Sequence, residues 1–127
     1  MRTSYRVAAL LCLFASAAHA QSPYQGKWTG TATASNGSQV RVDVTIDKAG
    51  GKLRTSPQQN YTSIDQCHNR DIPLTVESQT DTELVVSIKG EKVLKGCINE
   101  TATLKLIDPK TLQSTLQDGR TMKLTRK

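Results

Sequence analysis

The residues best suited to chemistry crowd into one segment, Ser63-Ile64-Asp65-Gln66-Cys67-His68-Asn69-Arg70-Asp71. It holds the residue types of a cysteine–histidine or a serine–histidine–aspartate site. Such a site needs an activated, unbridged nucleophile within hydrogen-bond reach of an oriented base. Neighbouring side chains on an extended chain point to opposite sides, which separates Cys67 from His68. Cys67 also has a competing use: beyond the apolar leader its only companion is Cys97. Two cysteines in an exported chain read as one disulfide. No catalytic residue is therefore expected, and the chain reads as non-enzymatic. Tyr61, Asp65, His68 and Arg70 become candidates for contacts in a polar interaction loop stapled by Cys67–Cys97. A metal site is not expected either, because His68 is the only histidine after the leader and no zinc or calcium ligand spacing surrounds it. No cofactor is expected.

The disulfide expectation depends on compartment, and the leader supplies it. Arg2 and Arg6 precede an apolar run from Val7 to Ala18, and Ala18-His19-Ala20 places small residues where a signal peptidase reads. Residues 1–20 thus read as a cleavable secretory signal peptide, leaving 21–127 as a single domain. Cys12 lacks the small residue that precedes a lipidated cysteine, so the expected location is periplasmic or secreted, without a lipid anchor. No later segment reaches the roughly 20 apolar residues of a membrane-spanning helix.

The whole chain carries a net charge of +6, from 17 basic and 11 acidic residues. Lys89, Lys92 and Lys95 surround Gly90, while Lys105, Lys123, Arg126 and Lys127 fall late in the chain. This positive flank is a weak pointer to an anionic envelope polymer and otherwise serves solubility. Nucleic acid is not expected, since only Tyr24, Trp28 and Tyr61 offer rings for base stacking after the leader.

The elements that must position these residues are strands. Trp28, Gly30, Ala32 and Ala34 alternate with threonines over 26–34, and Asn36-Gly37 marks a hairpin. Val40, Val42, Val44 and Ile46 alternate with polar residues over 39–46, the period of a half-buried strand. Further strands are expected at 52–55, 72–77, 83–89, 101–107, 111–117 and 120–126. Residues 92–99 are ambiguous, with Leu94 and Ile98 on one face, Val93 and Cys97 on the other, and a bulge at Gly96 needed to reconcile them. Residues 56–70 read as a long loop tethered at Cys67, with a short strand admissible at 61–64. No helix is expected. The fold class is all-β, a small antiparallel up-and-down β-barrel of about eight strands, with a β-sandwich as the alternative. An immunoglobulin-type sandwich places its tryptophan between the two cysteines, whereas Trp28 precedes both.

Gly26-Lys27-Trp28 at the start of the first strand, with Arg126 in the last, resembles the calycin group of lipocalins, avidins and similar small barrels. It also resembles small exported bacterial proteins with the same opening, one cysteine pair and a late arginine. The resemblance implies that Trp28 sits at a closed barrel end with Arg126 packed across it, a cation–π contact of about 0.5–2 kcal/mol. The chain is shorter than a lipocalin and lacks the binding tryptophans of an avidin, so biotin is not implied.

Function is then expected inside the barrel or on its loops. Gly30, Ala32 and Ala34 leave space that either large residues opposite fill or a ligand occupies. The expected function is binding of a small apolar or amphipathic ligand by a monomeric barrel. The alternative is an envelope protein-interaction module or hydrolase inhibitor acting through the 56–70 loop.

Overall fold

The alternation of Val40, Val42, Val44 and Ile46 with Arg41, Asp43 and Thr45 becomes, in the computed structural model, a strand with its four aliphatic side chains buried. The structure describes residues 22–33, 37–58 and 66–127. The signal peptide at 1–20, Ala34, Asn36 of the first hairpin, and Tyr61 and Asp65 of the loop lie outside the described residues, as does the admissible strand at 61–64.

Eight strands follow among the described residues: β1 (Gly26–Thr33), β2 (Gln39–Ile46), β3 (Gly50–Pro57), β4 (Ile72–Gln79), β5 (Glu83–Lys89), β6 (Asn99–Asp108), β7 (Thr111–Leu116) and β8 (Thr121–Arg126). Each pairs antiparallel with the next, and β1 pairs with β8, which closes an up-and-down barrel. Closure removes the free edges that an open sheet of this size would expose. The sandwich alternative is therefore excluded.

The closing seam is short, with Trp28 opposite Arg126 and Thr29 opposite Thr125. Gly30 lies just beyond it. A Cβ at Gly30 would fall 2.4 Å from the Lys123 carbonyl oxygen, so β1 and β8 approach this closely only where the side chain is absent.

Topology sorts the connections by length. The turns at 47–49, 80–82 and 109–110 lie at the end where β1 begins, and they are short. The connections from β3 to β4, β5 to β6 and β7 to β8 leave from the opposite end, where 66–71, 90–98 and 117–120 are described. Two of these are long, and the Cys67 and Cys97 sulfurs, 2.10 Å apart, join them.

Five expectations are corrected. Residues 92–98 hold no strand with a bulge at Gly96; the strand begins only at Asn99. The chain leaves β5 through a short 3-10 turn at Gly90–Lys92, where the Val93 and Leu94 amides donate to the Gly90 carbonyl at 3.0 and 3.3 Å. This turn is also the one helical element among the described residues, where none was expected. Ile98, expected to share a face with Leu94, is instead 72% exposed. The turn expected at 78–81 begins later, because a bulge between Val76 and Ser78 shifts the register and lets Ser78 and Gln79 pair with Val85 and Leu84. β3 runs from Gly50 to Pro57, longer than expected, because both its flanks find backbone partners on β2.

Candidate functional site

The inner surface has a closed end, an apolar wall and a polar rim. The closed end is built on Trp28, which is fully buried. Its indole Nε1 donates to the Tyr24 carbonyl at 2.9 Å. The Arg126 guanidinium carbon lies 4.2 Å from the ring centroid. That guanidinium also donates to the carbonyls of Gln25 and Pro23, both at 2.7 Å, and through Nε to Pro109 at 3.2 Å. Gly26 makes room for it: a Cβ there would sit 2.6 Å from Arg126 Nη1, and φ is +133°. Tyr24, also fully buried, completes the plug by donating its hydroxyl to the Thr80 carbonyl at 3.2 Å. Burial, with the nearby carboxylates of Glu83 and Asp81, pushes the Tyr24 phenol up. One arginine and one tyrosine thus lock the N-terminal segment onto two of the short turns.

Above the plug the barrel is hollow. A cavity of about 900 Å³ is walled by Val42, Val44, Leu53, Ile72, Leu74, Val86, Ala102, Leu104 and Leu116, among others. That lies within the range of small-molecule pockets, roughly 300–1,000 Å³. The core is therefore not filled by its own side chains. The branched aliphatic residues form most of the wall, and Ala32 and Ala102 contribute only a methyl group each.

The cavity opens at the end carrying the longer loops. Its rim includes Thr33, Thr55, His68, Ile98, Glu100, Arg120 and Thr121. The Thr55 hydroxyl and His68 Nδ1 are 2.7 Å apart, and the Asn69 amide donates to the Thr55 carbonyl at 2.7 Å. The loop end at 66–69 is thereby laid along β3. Across the opening, the Arg120 guanidinium stands 3.5 Å from Glu100.

The sequence-derived candidates divide accordingly. Cys67, Cys97, His68 and Ala32 meet around the cavity. Gly30 does not line it, because its bare face is taken up by the β8 backbone. Arg70 is turned into its own loop, donating to the Gln66 carbonyl at 2.7 Å. With its sulfur bonded to Cys97, Cys67 offers no thiolate. The positive flank is reduced, since Arg126 serves the plug and the Lys127 ammonium sits 2.9 Å from Asp43 Oδ1. No group of three or more potential metal ligands occurs among the described residues.

Sequence reasoning missed Tyr24, Ser114 as a polar group of the interior, and the Glu100–Arg120 pair. Tyr24 precedes the first strand, where no periodicity marks it. Ser114 was legible as an inner-face residue but not as a polar group facing open space. Glu100 and Arg120 come together only through the pairing of β6 with β7 and of β7 with β8.

Among the described residues no helix is long and apolar enough to cross a membrane. No protein-family model matches the sequence, and none of the curated proteins is similar to it. A solved structure of a redesigned β-barrel is similar in fold, with a TM-score of 0.51 at 20% identity over 84% of this chain and 93% of that one. At that identity the likeness concerns architecture alone, and it establishes the chain as a small closed β-barrel.

Proposed function

We propose that this protein is an exported, calycin-like carrier or sensor without enzymatic activity, which binds a small apolar or amphipathic ligand inside its barrel. The observation that carries the reading is the apolar cavity of about 900 Å³, closed at one end by Trp28 and Arg126 and open at the other. Burying an apolar ligand there gains roughly 25 cal/mol per Å² of surface withdrawn from water. The disulfide fits an oxidising compartment and holds the two long loops beside the opening. The N-terminal leader supports export.

Native mass spectrometry of protein recovered from its own cell envelope tests the reading. A co-purifying small mass, lost on organic extraction, is the expected result. A stoichiometric protein partner with no small mass would favour the interaction-module alternative instead.

A further inference from the structure

Two serines are buried, Ser87 on the outer register of β5 and Ser114 on the inner face of β7, and they differ in what their hydroxyls meet. Ser87, 9% exposed, donates to Glu77 Oε1 at 2.5 Å. Ser114, 8% exposed, lies on the inner face of β7 and lines the cavity, and its hydroxyl has no hydrogen-bond partner among the described residues. Its paired neighbours are Leu104 on β6 and Met122 on β8, and the next inner residue toward the closed end is Leu112, fully buried. The other polar residues of the cavity lining stand at the rim, apart from Thr31 on β1. From the rim, Ser114 lies about 13 Å down β6, where Glu100 and its partner Leu104 are four residues apart, and about 7 Å down β8, where Arg120 and its partner Met122 are two apart.

A wholly hydrocarbon occupant reaching this depth would strip water from the Ser114 hydroxyl and return nothing. A buried group left unpaired by the wrong ligand is what lets a pocket discriminate. Resting on the ligand-binding reading above, we infer that the barrel takes an elongated amphipathic molecule whose apolar body carries an oxygen function, a hydroxyl or carbonyl, that hydrogen-bonds Ser114. The polar end of that molecule sits at the Glu100–Arg120 rim.

The test uses the full protein, with palmitate and a positional series of monohydroxypalmitates as probes, read by displacement of N-phenyl-1-naphthylamine. The expected result is that one hydroxy isomer binds about three- to tenfold more tightly than palmitate, the net worth of one neutral hydrogen bond. Ser114→Ala should abolish that preference while leaving palmitate affinity equal or improved. The thermal midpoint of the unliganded variant should stay the same or rise, which a structural role for Ser114 would not produce. Palmitate binding as well as every isomer, or a preference that survives Ser114→Ala, overturns the inference while leaving the cavity reading intact. If neither naphthylamine nor any fatty acid binds, the cavity reading fails and this inference falls with it. Should Ser114→Ala not fold, Ser114→Val takes its place, and the same loss of preference is expected.

Discussion

Arg126 faces three backbone carbonyls and one indole at once, and no other side chain among the described residues has that reach. A lysine is a point charge and cannot serve three diverging acceptors or stack on a ring in the same way. Arg126→Lys is expected to cost about 2 kcal/mol or more in urea unfolding, since bonds to a charged donor are each worth about 1.5–3. A loss below about 0.5 kcal/mol would remove Arg126 from the closure. Trp28→Ala should cost more, about 3–5 kcal/mol, as expected for a fully buried ring. Asp43, on the outer face, supplies a pH signature. Burial pushes its carboxyl up, but hydrogen bonds from Lys127 and Thr29, with the charges of Arg41 and Lys127, outweigh that and hold it below the ordinary range. A carboxyl depressed in the folded state stabilises fully above its unfolded value near 3.9, and that contribution is lost as pH falls through the lower folded value. Urea midpoints of wild type and Asp43→Asn should therefore differ above about pH 4 and converge in stronger acid; a constant gap down to pH 2 would contradict this. Trp28 and Arg126 were legible in the sequence because their chemistry is distinctive. Ser114 was legible only as an inner-face residue, because alternation records which way a residue points and not whether anything lies opposite.

Strands were the most legible elements wherever apolar and polar residues alternated without interruption, as in β2. Legibility failed where backbone hydrogen bonding overrode the side-chain pattern. The bulge between Val76 and Ser78 extended β4 past its last apolar residue, and the Gly90 carbonyl turned residues 90–94 away from a strand. The loops of the open end were visible only as a lack of pattern, and the disulfide explains how an irregular segment keeps a place beside the cavity. It closes a sequence separation of 30 residues, for which chain entropy predicts about 3–4 kcal/mol of stabilisation. The double variant Cys67→Ala/Cys97→Ala should show a loss of that order. The environment of Trp28 at the opposite end should stay native, read from its fluorescence before the transition. An unchanged midpoint would mean that the loops are held by their own contacts, such as that between Thr55 and His68, without help from the bridge.

For the molecule as a whole, the division of labour between the two ends follows from topology. Up-and-down closure with eight strands puts every second connection at the same end, and in this chain the short turns fall around Trp28 while the long segments fall around the opening. The barrel is thus shut below and open above, with an apolar cavity between. The sequence could not decide between a filled and a hollow interior, because that depends on how far the facing walls stand apart. Ala102 sits on the wall with 3% exposure, and an aromatic ring placed there would project into the cavity. The most direct measurement is a titration of N-phenyl-1-naphthylamine into the wild-type protein and into Ala102→Phe, with circular dichroism to establish that both are folded. Saturable one-to-one binding by the wild type, weakened about tenfold or more in the folded variant, is the predicted result. Equal affinity in both proteins, or no binding by either, would contradict a ligand-binding interior.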